Sequence, residues 1–260
     1  MSRSAIFITG AAAGIGRATA ELFAAQGWFV GLYDVADGAV EALRQQLGAE
    51  RGVAGKLDVS DAGAFAGALQ GFFEAAGGRL DLLFNCAGIL ATGDFESIPL
   101  ARHQRIVEIN LHGVINGCHA ALPYLRRTPG ARVINMASAS AIYGAPAFAS
   151  YSATKFAVRG LTEALNIEWA RHGIRVMDVL PLFVATPMVG NVANPPASVG
   201  RLGIHLSAAD VAGMVWRAAH WRWWPRVHWY PGWQTRAFAL VQKCSPAWLN
   251  RLSTKLVSGY

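Results

Sequence analysis

Short apolar runs and longer amphipathic stretches alternate along the first 180 residues of the chain. The runs are rich in β-branched or aromatic residues and too short for helices, so they predict strands. They occupy residues 5–9, 28–33, 80–84, 132–136 and 174–180. The stretches between them have helical spacing, and crossovers of that length return each strand parallel to the last. The pattern predicts an α/β fold with a doubly wound parallel sheet and helices on both faces.

The alternation stops between residues 186 and 207. This stretch contains Pro187, the run Asn194-Pro195-Pro196 and Gly200, which interrupt regular structure. Such a composition favours a long loop with one short helix. Because the stretch follows a late strand of the sheet, we expect residues 186–207 to form a substrate lid.

The composition indicates a single domain over residues 1–260. Apolar residues make up 53% of the chain and charged residues 15%, which supplies one large core. The three cysteines form neither a CxxC pair nor a cluster at zinc spacing, which favours a reducing compartment. No apolar run has the length of a signal peptide or of a membrane-spanning helix. These features predict a cytoplasmic protein.

The net charge of +7 is confined to the end of the chain. Residues 1–200 carry equal numbers of basic and acidic groups, whereas residues 201–260 carry eight basic residues against Asp210 alone. Seven of the nine tryptophans also lie after residue 215. We expect residues 233–260 to form a basic extension containing tryptophan. Two interpretations remain open: a solvated face with an aromatic-lined pocket, or a reversible contact with an anionic membrane surface, which would make the protein membrane-peripheral. Nucleic acid is not an expected partner.

A glycine-rich turn follows the first predicted strand. Gly10, Gly14 and Gly16 let the chain bend sharply, so that backbone N–H groups and a helix N-terminus can approach a pyrophosphate. The second predicted strand is followed by Asp34, whose carboxylate can accept hydrogen bonds from ribose hydroxyls and repel a 2′-phosphate. Together they predict a site for NAD(H), preferred over NADP(H).

Further motifs, in order along the chain, resemble those of the short-chain dehydrogenase/reductase family. The glycine spacing, Asp58-Val59, and Asn85-Cys86-Ala87-Gly88 match its cofactor motifs, and Tyr151 and Lys155 form its YxxxK. The resemblance covers residues 4 to about 190 and implies a Rossmann-type fold. The residues it places in catalysis are Asn110, Ser138, Tyr151 and Lys155. The residues expected to bind cofactor are Gly10, Ala13, Gly14, Ile15, Gly16, Asp34, Val35, Asp58, Val59, Asn85, Ala87, Gly88, Tyr151, Lys155, Pro181, Val184 and Thr186.

The chemistry of the Tyr151 and Lys155 pair follows from their spacing. Residues four apart on a helix project from one face, so a nearby ammonium is expected to lower the phenol pKa and make Tyr151 a proton shuttle. Ser138 is suited to hold the developing oxyanion. The family resemblance implies that Lys155 also holds the nicotinamide ribose and that Asn110 anchors a water. No metal is expected.

The chain departs from the family pattern after the predicted strand at 174–180. Leu182 stands where the family usually has glycine, while Val184 and Thr186 match positions that contact the nicotinamide. The expected substrate contacts are Ser138, Tyr151, Leu182, Phe183 and Met188, with further apolar surface from the tail tryptophans. The extension after residue 232 resembles those of family members acting on retinoids, steroids and other lipids.

These features predict an NAD(H)-dependent oxidoreductase that interconverts a lipophilic alcohol and its carbonyl compound. Two alternatives remain: a reductase of 3-oxoacyl thioesters, and a catalytically silent nucleotide-binding scaffold or sensor. The expected partners are a small lipophilic substrate and further copies of the chain, as a homodimer or homotetramer. The family resemblance implies that the copies pair through the helices within residues 100–127 and 151–171.

Overall fold

A seven-stranded parallel sheet forms the centre of the molecule, whose computed structural model describes residues 3–192 and 194–260. Its strands are β1 (Ala5–Thr9), β2 (Phe29–Asp34), β3 (Gly52–Lys56), β4 (Leu82–Asn85), β5 (Arg132–Met136), β6 (Arg175–Val179) and β9 (His228–Trp229). They lie in the order β3-β2-β1-β4-β5-β6-β9. Two shorter strands, β7 (Val184–Ala185) and β8 (Leu206–Ser207), pair separately.

Helices cover both faces of this sheet. They are α1 (Gly14–Ala25), α2 (Asp37–Leu47), α3 (Ala62–Ala75), α4 (Leu100–Val107), α5 (Gly113–Leu125), α6 (Ala149–Glu168), α7 (Pro187–Gly190), α8 (Ala197–Leu202), α9 (Ala208–His220), α10 (Trp233–Cys244) and α11 (Ala247–Ser258). One core layer lies between the sheet and α3, α5 and α6, and the other between the sheet and α1, α2 and α9. The predicted Rossmann-type α/β fold in a single domain is confirmed.

The side chains of β1 explain why its sequence is apolar throughout. Successive side chains of a strand point to opposite faces, and both faces of this sheet are covered. Ala5 and Phe7 belong to one core layer, whereas Ile6 and Ile8 belong to the other, and all four are fully buried. Every position of the strand is therefore apolar up to Thr9.

The strand order reverses beside β1, and this reversal positions the site. The chain runs outward from β1 to β2 and β3, then crosses back to β4 on the other side of β1. Loops leaving β1 and β4 consequently part in opposite directions at their carboxyl ends, which opens a crevice there. In doubly wound sheets such a crevice is where ligands bind.

Residues 186–207 hold more regular structure than the sequence predicts. The segment contains α7 and α8 rather than one short helix, and it ends in β8, which pairs with β7. Each helix begins after a proline or at one, where a missing N–H is tolerated. One residue of the predicted lid, Ala193, lies outside the described residues.

The last 28 residues form a helical hairpin of α10 and α11. Asn250 fixes its turn, because its amide nitrogen donates to the carbonyl oxygens of Gln242, at 2.9 Å, and Ser245, at 3.3 Å. Arg201 of α8 donates to the carbonyl oxygen of Leu256 on α11. The hairpin is thus joined to the predicted lid. Among the described residues, no helix has the length and apolar character needed to cross a membrane.

Candidate active site

The glycine-rich turn between β1 and α1 is so tightly packed that it leaves almost no room for side chains. Gly10 and Gly14 have φ angles of +72° and +54°, in the left-handed region that favours glycine. A Cβ on Gly10 would lie 2.8 Å from the Cα of Ala87, and one on Gly16 would lie 2.0 Å from the carbonyl oxygen of Gly10. The backbone therefore forms a bare surface at the start of α1, where N–H groups and the helix dipole favour a phosphate.

Asp34 is fixed beside this turn by backbone hydrogen bonds. One carboxylate oxygen accepts from the backbone N–H of Ala12 at 3.2 Å, and the other accepts from that of Ala36 at 3.1 Å. The carboxylate thus lies within the crevice at the end of β2. Arg17 is engaged elsewhere, in an ion pair with Glu21 at 2.9 Å and a hydrogen bond to Gln46.

Asp58 and Val59 form the next part of the crevice wall, after β3. The hydroxyl of Ser60 donates to the Asp58 carboxylate at 2.6 Å, and Arg105 forms an ion pair with it at 2.6 Å. The hydrogen bonds from Ser60, supported by Arg105, lower the pKa of Asp58 to about 2 against the opposing effect of burial. Asp58 is therefore a charged, fully oriented acceptor.

The structure does not bring Asn85 to the crevice. Its side chain is 2% exposed and donates to the side-chain oxygen of Asn135 at 2.9 Å, while Asn135 donates to Thr162. Asn85 therefore ties β4 to β5 inside the core. The hydroxyl of Thr9 accepts from the backbone N–H groups of Cys86 and Ala87 and holds the following loop against β1.

Asn110 lies behind the crevice wall within a single π-helical turn, Glu108–His112. Its side chain is fully buried, accepts from the N–H of Ile89 at 2.8 Å and donates to the carbonyl oxygen of the same residue at 2.9 Å. It also donates to Thr154 on α6 at 3.4 Å. Asn110 thereby joins the loop after β4 to the helix that bears Tyr151. π-Helical turns of this kind are frequent at functional sites.

Tyr151, Lys155 and Ser138 meet on one wall of the crevice. Tyr151 and Lys155 lie one turn apart on α6, and the Lys155 ammonium is 5.5 Å from the centroid of the Tyr151 ring. Lys155 is 4% exposed and donates to the carbonyl oxygen of Met136 at 2.6 Å. Ser138 follows β5 and accepts a hydrogen bond from the backbone N–H of Ser140. Two elements, α6 and the end of β5, therefore position these three side chains.

Burial dominates the electrostatics of this pair. Burial lowers the pKa of Lys155 to about 8. It raises the pKa of Tyr151 to about 12, although a hydrogen bond with Ser138 acts in the opposite direction. The net pKa of Tyr151 is therefore raised, whereas the spacing of the pair led us to expect a lowered value. The Lys155 ammonium faces the tyrosine ring and donates to Met136.

A continuous cleft of about 580 Å³ extends from the glycine-rich turn to the C-terminal hairpin. Every predicted cofactor, catalytic and substrate residue except Asn85 and Asn110 lies in its wall. Further wall residues that were not predicted from the sequence include Ile89, Leu90, Thr92, Tyr143, Pro146, Phe148, Val199, Leu202, Ala237, Phe238, Val241, Gln242, Thr254 and Val257. The apolar positions of α10 and α11 repeat with helical spacing, which was the available signal for some of them.

The tail tryptophans do not line the cleft among the described residues, contrary to expectation. Trp216 packs on Phe23 with ring centroids 4.9 Å apart, and Trp221 packs on Trp229 at 5.6 Å. These rings extend a core layer beside β9. The aromatic side chain that the extension contributes to the cleft is Phe238.

A crevice at the strand-order reversal, with a glycine-rich turn and a Tyr-Lys pair, defines a dinucleotide-binding oxidoreductase fold. The family profile described as short chain dehydrogenase matches residues 4–196. The chain belongs to this family.

Individual proteins support the same assignment. The oxidoreductase UcpA of Salmonella typhimurium is 35% identical over 190 residues, covering 72% of each chain. The 3-alpha-(or 20-beta)-hydroxysteroid dehydrogenase of Mycobacterium tuberculosis is 34% identical over 215 residues, covering 78% of this chain and 82% of the relative. A crystal structure of a short chain dehydrogenase/reductase from Burkholderia phymatum in complex with NAD superposes with a TM-score of 0.81 at 26% identity, covering 92% of both chains.

Proposed function

We propose that this protein is an NAD(H)-dependent oxidoreductase that interconverts a lipophilic alcohol and its carbonyl compound, with Tyr151 as the acid and base. The observation that supports this most directly is the single cleft that joins the glycine-rich turn to Ser138, Tyr151 and Lys155. A nucleotide-binding scaffold needs no proton shuttle, so the intact group counts against the alternative of a silent scaffold or sensor.

One end of the cleft fits a dinucleotide, because it is lined by Gly10, Gly14 and Gly16, which leave the backbone at the start of α1 bare of side chains where a phosphate can approach. The residues that would hold the cofactor are Gly10, Ala13, Gly14, Ile15, Gly16, Asp34, Val35, Asp58, Val59, Ala87, Gly88, Tyr151, Lys155, Pro181, Val184 and Thr186. When bound, the nicotinamide accepts or supplies the hydride. Asn85 would act only indirectly, by holding β4 against β5.

Proton transfer takes place at the Tyr151 hydroxyl. In carbonyl reduction the neutral phenol donates its proton to the oxygen of the substrate, while Ser138 donates a hydrogen bond to the same oxygen. In alcohol oxidation the phenolate accepts the hydroxyl proton. Because burial raises the pKa of Tyr151 to about 12, its proton is in place for reduction at neutral pH, and oxidation is expected to accelerate as pH rises. Asn110 would act as a positioning residue for α6 and anchor a water.

The preference for NAD(H) is inferred from Asp34. Its carboxylate is held by Ala12 and Ala36 where ribose hydroxyls can donate to it, and a 2′-phosphate would place like charges together. Arg17, the nearest basic residue along the turn, is paired with Glu21 and Gln46. It therefore offers no free cation to a 2′-phosphate.

A lipophilic substrate is inferred from the rest of the cleft wall. Leu182, Phe183 and Met188 lie there with Phe238 and the apolar residues of α7 and α8. The charged side chains in the described wall are Asp34, Asp58 and Lys155, all at the cofactor end. The basic residues of the hairpin lie outside the wall, which counts against the 3-oxoacyl-thioester alternative. Because residues of α7 and α8 lie in this wall, we propose that residues 186–207 form the substrate lid.

Two contacts with larger partners belong to this proposal. The first is with further copies of the chain, because exposed apolar residues on α4, α5 and α6 are suited to pairing of helices in a homodimer or homotetramer. They are Leu100, Ile115, Phe156 and Ile167.

The second contact involves the outer face of the α10–α11 hairpin, which is exposed. This face is defined here by Leu240, Trp248, Leu252, Leu256, Arg236, Lys243, Arg251 and Lys255. Its mixture of apolar and cationic side chains supports reversible contact with an anionic membrane surface by a protein otherwise in the cytoplasm.

The proposed function is tested by comparing turnover and cofactor binding of the Tyr151→Phe variant with those of the parent. The parent is screened with apolar and small polar alcohols and ketones and both nicotinamide cofactors. We expect Tyr151→Phe to bind NADH within a few-fold of the parent and to lose about 10² or more in turnover, because only the transferable proton is removed. Turnover within about tenfold of the parent would refute the role of Tyr151.

Cosedimentation with anionic liposomes tests the membrane contact. We expect binding that weakens as salt is added and that is lost when the chain is truncated after Gly232.

A further inference from the structure

The end of the cleft farthest from the glycine-rich turn has a polar character that an apolar substrate alone does not explain. We define its distal wall as Ser198 of α8, Gln242 of α10, and Ser253, Thr254 and Ser258 of α11, all of which line the cleft. These side chains are uncharged. The remainder of the wall contributed by α8, α10 and α11 is mostly apolar, so the polar side chains are concentrated on three adjoining helices.

Two of these polar groups lack hydrogen-bond partners within the protein. The side-chain oxygens of Ser198 and Gln242 are inaccessible to solvent and have no partner among the described residues. Ser198 is only 7% exposed. Buried polar atoms are normally paired, because an unpaired one destabilises the folded protein. The hydroxyls of Ser253 and Ser258 differ, because they donate to the carbonyl oxygens of Asn250 and Lys255 on their own helix.

The helices that carry these groups are fixed relative to one another. Arg201 joins α8 to α11 through the carbonyl oxygen of Leu256, and Asn250 joins α11 to the end of α10. The hydroxyl of Tyr260 donates to the carboxylate of Asp94 in the loop after β4. The unpaired atoms therefore belong to a braced wall. The last torsion of a glutamine side chain has broad minima, so Gln242 can present its amide to the cleft.

We propose that the distal wall is a subsite for a second hydroxyl group, carried by the substrate at the end opposite its reacting carbon. A hydroxyl both donates and accepts, so it can donate to the oxygen of Gln242 and accept from the hydroxyl of Ser198, the two buried wall groups without a partner among the described residues. A carboxylate or phosphate is excluded, because the distal wall offers no cation to balance its charge. This inference rests on the proposed function and narrows its substrate class to elongated apolar alcohols with a second hydroxyl.

Paired substrates test the subsite. One pair is androstanediol and its analogue without the distal hydroxyl, and the other is a bicyclohexyl alcohol with and without a hydroxyl on the second ring. We expect the parent enzyme to favour the doubly hydroxylated member by about fivefold to tenfold in kcat/KM. Gln242→Leu should abolish that preference by raising KM for the diol, with little change for the monohydroxylated member. Ser253→Ala is the matched control and should keep the parent preference, because the hydroxyl it removes is already bonded within α11.

Turnover of the monohydroxylated members reports whether each variant is folded. Where Gln242→Leu fails to fold, Ser198→Ala provides the same comparison. Equal kcat/KM for both members of each pair in the parent, or an unchanged preference in the variant, overturns the subsite while leaving the proposed function intact. If small alcohols are turned over and neither pair is, the subsite and the lipophilic substrate are both overturned, and the reaction class alone remains. Absence of turnover with every alcohol and ketone overturns the proposed function and, with it, the subsite.

Discussion

Replacing Lys155 with methionine should stabilise the protein while abolishing its activity. The ammonium is 4% exposed, and burial lowers its pKa from the ordinary 10.5 to about 8. Since each pH unit of such a change corresponds to about 1.36 kcal/mol, holding the charge in the folded state costs roughly 3 kcal/mol at neutral pH. Loss of the hydrogen bond to Met136 offsets about 1 kcal/mol. Lys155→Met should therefore raise the free energy of unfolding by roughly 2 kcal/mol at pH 7.

The dependence of this gain on pH separates it from a packing effect. Below pH 8 Lys155 is protonated in both the folded and the unfolded chain, so the full cost is present. Between pH 8 and 10.5 the unfolded chain binds more protons than the folded chain, so the parent gains stability as pH rises. The advantage of Lys155→Met should shrink across that window. Denaturant unfolding of both proteins at several pH values between about 7 and 10 measures it. A variant less stable than the parent at pH 7, or an advantage independent of pH, would refute the reasoning.

Three further substitutions test other parts of the cleft. Gly16→Ala should weaken NADH binding at least tenfold in a titration of protein fluorescence, because its Cβ would lie 2.0 Å from the carbonyl oxygen of Gly10; unchanged affinity would contradict the close approach. Asp34→Ala should raise kcat/KM with NADPH relative to NADH, and a constant ratio would remove Asp34 from cofactor selection. Asn85→Ala should lower the free energy of unfolding by about 2 kcal/mol, because it leaves the buried side-chain oxygen of Asn135 without its donor, and it should keep NADH affinity within a few-fold of the parent; a large selective loss of affinity would place Asn85 in direct contact with the cofactor.

The sequence predicted the sheet wherever strands were apolar and β-branched. The bounds of β1 and β5 match the predicted ones, and β2, β4 and β6 differ from theirs by one or two residues at each end. β3 was not predicted because two of its five residues are glycine, which weakens the strand pattern. Gly52 is required there because a Cβ would lie 2.1 Å from the carbonyl oxygen of Val30, a contact that only the paired sheet reveals.

The sequence motifs predicted which residues form most of the candidate site, but not the pKa of Tyr151 or the placement of every side chain. Motif spacing located Ser138, Tyr151 and Lys155, and the structure brings them together on one wall of the cleft. The pKa of Tyr151 could not be predicted, because helical spacing does not give the position of an ammonium relative to a hydroxyl or the depth of burial. Asn85 likewise needed the structure, since its motif does not specify the face of β4 on which the side chain lies. The role of Phe238 depended on how the hairpin folds back.

The cleft is divided between two parts of the chain with separate tasks. The family profile ends at residue 196, after every residue proposed to bind the cofactor or move the proton, whereas α8, α10 and α11 all follow that boundary. The C-terminal part can therefore accumulate substitutions that reshape the distal wall without disturbing the reacting atoms. The distal wall can in this sense be inherited separately from the chemistry, whereas Leu182, Phe183 and Met188 lie in the same part of the chain as the cofactor site. Exchanging the segment after residue 196 between relatives is thus the direct route to an enzyme with the same reaction and a different range of substrates.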